Sequence, residues 1–179
     1  MEEAVIINLM RNMQVNRFIP LEEVHRTYPD ITKLYRGRPE MLIMTMTNGR
    51  NVQAFRGGKV QILGCVSDEE AENMRLNFMN KLRRINTMQN SLVTKMTVSN
   101  LVISVQLKKP LSLQRIKRTD ANFFHEIELF PAAIIRKWYP ANIAAFHNGH
   151  IILTGIKSVE HFYKVMTDLN AFLINAHIV

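Results

Sequence analysis

Phe55-Arg56-Gly57-Gly58-Lys59-Val60-Gln61-Ile62-Leu63-Gly64-Cys65-Val66-Ser67 aligns without a gap on Phe146-His147-Asn148-Gly149-His150-Ile151-Ile152-Leu153-Thr154-Gly155-Ile156-Lys157-Ser158, at a constant offset of 91. In each string an aromatic residue precedes a glycine-containing turn, an apolar run follows, and a serine closes it. Self-similarity of this length marks an internal repeat, and it governs how every other segment is read. Upstream, Leu21-Glu22-Glu23-Val24-His25-Arg26-Thr27 matches Leu113-Gln114-Arg115-Ile116-Lys117-Arg118-Thr119, and Asn8-Leu9 matches Asn100-Leu101, now at an offset of 92. One residue is gained or lost in between. Downstream, Ala71, Met74, Phe78, Leu82 and Ile85 lie on one face of an amphipathic helix. Adding 91 lands on Phe162, Val165, Leu169, Leu173 and Ala176, apolar every time.

Each copy therefore reads as a strand, a short helix, antiparallel strands joined by tight turns, and a long helix. Ser67 and Ser158 stand at helix N-cap positions, and Asp68, Glu69 and Glu70 place negative charge where the helix dipole favours it. Asn48-Gly49 between Met41–Thr47 and Val52–Phe55 is a hairpin signal, and Gly57-Gly58 and Asn148-Gly149 mark the next turn. Short helices are expected over Pro20–Arg26 and Leu111–Thr119. The fold class is α+β, with repeats over 1–86 and 97–179 and a linker over 87–96 that lacks a clear period. One continuous two-lobed sheet is expected in place of two separate domains.

The chain has 179 residues, 47% apolar and 21% charged, which places it among folded globular proteins and away from disordered chains. Its formal charge of +8 is spread, with 13 basic against 10 acidic residues up to position 90 and 10 against 5 after it. Such a balance favours a polyanionic partner. Cys65 is the single cysteine, which excludes an intramolecular disulfide and a Cys-based zinc site and suits an intracellular setting. The apolar runs are far shorter than the roughly 20 residues a membrane span needs, and the Met1-Glu2-Glu3 start is acidic where a signal peptide would be basic. Membrane association is not expected.

Candidate chemistry is sparse. His147 and His150 flank a turn without a third metal ligand nearby in sequence. Cys65 and His161 do not suggest a nucleophile pair, and Gly57-Gly58-Lys59 is too short for a phosphate loop. Glu22-Glu23 and Asp68 to Glu72 read as solvated helix faces. The chain is expected to be no enzyme and to carry no cofactor.

The repeat resembles the core of the TATA-box-binding protein family. Val98-Ser99-Asn100-Leu101-Val102 is similar to that family's repeat-opening strand, and Glu126-Ile127-Glu128-Leu129-Phe130-Pro131 to the acidic loop and phenylalanine of its second stirrup. The string from Ala144 to Ser158 resembles the strand-turn-strand segment that ends in the family's Thr-Gly-Ala-Lys-Ser. The resemblance implies a saddle of ten antiparallel strands in one curved sheet, with four helices on the convex side and the minor groove of DNA against the concave face. It implies wedges at Phe130 and Phe146 in the second copy and at Pro39 and Phe55 in the first, both pairs 16 apart. Asn8 and Asn100 would reach base edges, Thr154 a base acceptor, and Val102 and Ile152 would floor the groove. Arg136 would contact phosphate, and Glu126 and Glu128 would engage a transcription factor IIB-like partner. Lys81, Arg83 and Arg84 are expected to face solvent on the convex side, toward an acidic partner or flanking DNA.

The first copy departs from the family pattern. Pro39 stands where a phenylalanine is expected, Leu63 where a threonine is, Thr45 where the phosphate-binding arginine is, and Gln53 and Gln61 where apolar floor residues are. Proline can still act as a wedge. The glutamines could hydrogen-bond bases or phosphates, so the preferred duplex, A·T-rich by resemblance, need not be a standard TATA element. The expected role is a general transcription factor that bends DNA and nucleates initiation. The alternative is a scaffold or nucleic-acid-binding module of the same fold without promoter recognition. Pairing of two free copies through the concave face is left open.

Overall fold

The computed structural model describes residues 3–119, 123–124, 130–138 and 141–175. It divides into two compact units, Asn8–Ser99 on one hand and Met1–Ile7 with Asn100–Val179 on the other. This division differs from repeat boundaries at 1–86 and 97–179.

The first unit holds β1 (Glu3–Val15, from Asn8 on), α1 (Leu21–Thr27), β2 (Thr32–Tyr35), β3 (Met41–Thr45), β4 (Asn51–Phe55), β5 (Lys59–Cys65) and α2 (Asp68–Arg83). Its strands pair antiparallel in the order β2-β3-β4-β5-β1. Strand side chains alternate between faces, and Leu42, Met44, Val52, Ala54, Val60 and Ile62 on one face are sealed from solvent. They are covered by α1, which packs on β2 and β3, and by α2, which packs on β5. All five residues of the expected α2 stripe are buried, although Ile85 lies just past the helix end.

The second unit repeats the plan with β6 (Val93–Gln106, from Asn100 on), α3 (Leu113–Thr119), β7 (Phe123–Phe124), β8 (Ala132–Trp138), β9 (Ala141–Phe146), β10 (His150–Ile156) and α4 (Val159–Asn175). The strand order is β6-β10-β9-β8-β7. Val165, Leu169 and Leu173 are buried as expected. Phe162 is only half-buried and packs against Tyr163, while Met166 joins the core. Ala176 lies outside the described residues. Strand β6 begins at Val93, inside the segment read as a linker, after a 3-10 turn at Asn86–Met88.

The turns follow from their residues. At Asn48-Gly49 the Met46 N–H donates to Arg50 O at 2.8 Å, and Gly49 has φ +77°. Gly58 and Gly149 are more constrained, with φ +86° and +84°, and a Cβ on either would sit 2.5 Å from a backbone carbonyl. Only glycine fits there.

The helix caps repeat with a change of chemistry. Ser67 Oγ accepts from the Glu70 N–H at 3.1 Å, and Glu70 Oε2 accepts in return from the Val66 N–H at 2.8 Å, a reciprocal cap. At α4, Ser158 Oγ accepts from the His161 N–H at 3.0 Å, and His161 Nδ1 accepts from the Lys157 N–H at 3.1 Å. An imidazole replaces a carboxylate in the same geometry.

Candidate nucleic-acid interface

Each unit buries one face of its strands under two helices and leaves the other uncovered. In the second unit the uncovered face is apolar across its middle. One row of register partners runs Phe124, Ile134, Ala144, Ile152 and Ser104 across β7, β8, β9, β10 and β6. A neighbouring row places Ala132 beside Phe146, and His150 beside Gln106. Phe130 enters next to this row, its ring edge-on to Phe146 with centroids 6.0 Å apart. Phe146 also stacks on His150 at 5.5 Å. The two wedge candidates, 16 residues apart in sequence, thus form one aromatic cluster, and Phe130 is 44% exposed. Phe124, at 53% exposure, extends the apolar face. Repeat matching does not single it out, because its counterpart at an offset of 91 is Lys33.

The first unit keeps the register and changes the surface. The corresponding row runs Lys33, Ile43, Gln53, Gln61 and Asn12. Gln61 Nε2 donates to Asn12 Oδ1 at 2.9 Å. Phe55 is half-buried beside Met41, with the Lys59 ammonium 5.8 Å from its ring centroid. Pro39 is exposed, in a loop whose neighbour Glu40 is tied to the turn after Phe55. Arg56 makes that tie, donating to Glu40 Oε2 at 2.8 Å and to Glu22 Oε1 at 2.6 Å. The Arg56 hydrogen bond holds the Glu22 carboxyl below the usual carboxylate range. In the second unit His147 stands in place of Arg56 and meets Leu111 O through Nδ1 at 2.9 Å.

Asn8 and Asn100 do the same work in both units. Asn8 Oδ1 accepts from the Gly64 N–H at 3.2 Å, and Asn100 Oδ1 accepts from the Gly155 N–H at 2.7 Å. Gly64 (φ +83°) and Gly155 (φ +84°) sit where the β1–β5 and β6–β10 registers shift. Each is a bulge glycine in the left-handed region, and the asparagine carbonyl satisfies the N–H that the ladder leaves over. Thr154 is half-buried on the open face beside Asn142, Val102 is half-buried two residues beyond Asn100, and Arg136 is exposed two residues beyond Ile134. Leu63 occupies the Thr154 position beside Asn51, and Thr45, at the Arg136 position, donates to Asn51 Oδ1 at 3.0 Å.

A sequence profile described as "Transcription factor TFIID (or TATA-binding protein, TBP)" matches residues 95–176. The TATA-box-binding protein of Methanococcus vannielii is 25% identical over 178 residues, covering 96% of this chain and 94% of the relative. The TATA-box-binding protein C of Halobacterium salinarum is 29% identical over 123 residues, and TATA-box-binding protein 3 of Methanosarcina acetivorans 32% over 109. Those two matches span only 64% and 59% of the relatives' own lengths. The solved structure of the Methanococcus jannaschii TATA-binding protein (TBP) superposes with a TM-score of 0.78 over 93% of this chain and 95% of that one; at 23% identity it speaks for the fold. Residues 95–176 are thus similar to the TATA-binding protein family, and the chain shares the fold of a TATA-binding protein. The profile match falls on the second repeat, the copy whose open face is largely apolar.

The family's acidic stirrup positions, Glu126 and Glu128, lie outside the described residues. On the helix side of the first unit, Arg83 and Arg84 are exposed, and Lys81 is half-buried with its ammonium 5.3 Å from the Tyr28 ring centroid. His147 and His150 each have a hydrogen-bond partner, His150 Nε2 with Ser104 Oγ at 2.7 Å, and no metal-holding cluster occurs among the described residues. Cys65 is buried against Met74, and desolvation pushes its thiol up, away from the reactive thiolate.

Proposed function

We propose that this protein is a general transcription factor of the TATA-binding kind, which takes duplex DNA by its minor groove and bends it to nucleate initiation. The observation that carries this reading is the cluster of exposed Phe130 and half-buried Phe146 at the edge of a largely apolar open face. Minor-groove edges offer few discriminating hydrogen bonds, so apolar wedges and the ease of deforming A·T-rich steps must carry selectivity. The open face supplies a dry floor in Ile134, Ala144, Ile152 and Val102. In this reading Arg136 neutralises a phosphate, and Asn8 and Asn100 reach base edges. The net charge of +8 supports association with a polyanion. Glu126 and Glu128 are proposed to meet a transcription factor IIB-like protein. Nothing in this role needs a catalysed reaction, and an intracellular site of action follows from it.

Energy transfer between the ends of labelled duplexes tests the proposal. An A·T-rich duplex should shorten on binding, and a Phe130→Ala/Phe146→Ala variant should not shorten it. Binding without bending, or none at low salt, would instead favour a protein-interaction scaffold, the reading that the polar open face of the first unit recommends.

A further inference from the structure

Resting on the minor-groove reading above, we infer that Gln53 and Gln61 are specificity-determining residues that select a guanine in the part of the duplex taken by the first unit. Gln53, Gln61 and Asn12 are register partners on three adjacent strands, half-buried in the middle of the open face. The same three places in the second unit hold Ala144, Ile152 and Ser104. One row has therefore become a line of carboxamides while the surrounding register is unchanged.

The wiring of that line decides what it can read. One N–H of Gln61 Nε2 goes to Asn12 Oδ1 at 2.9 Å. This leaves the Asn12 NH2 as a donor and the Gln61 carbonyl oxygen as an acceptor, with a whole carboxamide on Gln53 beside it. However amides are linked head to tail, the chain begins with an unused carbonyl and ends with an unused NH2. An A·T or T·A pair shows the minor groove acceptors only, adenine N3 and thymine O2. Guanine adds the one donor, its N2 amino group. Pressed dry against A·T pairs, the row satisfies its NH2 end and strands its carbonyl end. Against a guanine both ends are paired. The apolar row Ile134, Ala144 and Ile152 has the opposite preference, since it would strand that amino group. The two units then prefer different base pairs, and that difference sets the direction in which the protein sits on its site.

The test moves a single G·C pair through every position of an A·T-rich duplex and measures affinity, then repeats the series with inosine for guanine. Inosine keeps the base pair and removes only the N2 amino group. At positions in one half, G·C should bind at least as well as A·T, and inosine should weaken binding about five- to tenfold, the scale of one base-edge hydrogen bond. The Gln53→Ala/Gln61→Ile variant, carrying the second repeat's residues, should not distinguish guanine from inosine. If inosine equals or exceeds guanine at every position while the A·T-rich duplex is still bound and bent, this inference falls and the proposed function stands. A guanine preference that survives the double variant also overturns it. If no duplex is bound, both fall. The inosine series needs only the unaltered protein, so a variant that fails to fold does not protect the inference.

Discussion

The open faces of the two units share strand order, register, bulge glycines and bracing asparagines, and differ in most side chains between those fixed points. Phe124, Ala144 and Ile152 in one unit answer to Lys33, Gln53 and Gln61 in the other; Arg136 answers to Thr45 and Thr154 to Leu63. Even the loops beside the aromatic residues differ, for the first is held by the Arg56 ion pairs with Glu22 and Glu40. Duplication preserved what the backbone needs and released what the surface reads. The buried face has to fill a closed volume, whereas an open face is constrained only by what binds it.

The largest test of that contrast is the aromatic one. Phe130→Ala/Phe146→Ala should cost about a hundredfold or more in affinity for an A·T-rich duplex, since each large apolar side chain contributes about 1.5–3 kcal/mol when buried. Phe55→Ala should cost about tenfold, because its half of the face is polar. Equal losses would dissolve the comparison. Next come the shared parts: Gly64→Ala and Gly155→Ala should each destabilise by about 1–2 kcal/mol, the cost of forcing an L-residue into the left-handed region. A chemical denaturation series would show whether the two units answer alike.

Smaller effects sharpen the contrast at the helix caps. Glu70→Ala should cost about 1 kcal/mol, the order of a lost cap interaction. The Val66 N–H, followed by Arg50 and Asn48, holds the Glu70 carboxyl below the usual carboxylate range. Its stabilisation is therefore complete above the unfolded value of about 4.3 and is lost as pH falls through the depressed folded value. The gap between variant and wild type should close below about pH 4. Denaturant midpoints across that range measure it, and a gap independent of pH would refute the role of the carboxylate. Smallest of all, Arg136→Ala should reduce the slope of log affinity against log salt by about 0.9, one phosphate contact. Thr45→Ala should leave the slope unchanged.

The offset between Phe55–Ser67 and Phe146–Ser158 was enough to read the duplication, the α+β class and the helix N-caps at Ser67 and Ser158, whereas Phe130 and Phe146 came forward as a candidate site only through the family resemblance. These are local or periodic properties: caps depend on nearest neighbours, and core stripes recur at the spacing of the element. Other features had no local signature. Phe124 joins the apolar face only because β7 pairs with β8 at Ile134. Asn12 completes the amide row only because β1 pairs with β5 opposite Gln61. The asparagines at 8 and 100 could be matched as a pair, but their bond to a bulge N–H more than 50 residues away appears only with the register shift in place. Sequence by itself determined the succession of helices and strands, and that the plan occurs twice, because those choices are set by short-range periodicity; it did not find the start of β6 at Val93. Tertiary structure alone decided which side chains share an open row, because strand pairing brings together residues that no interval along the chain relates.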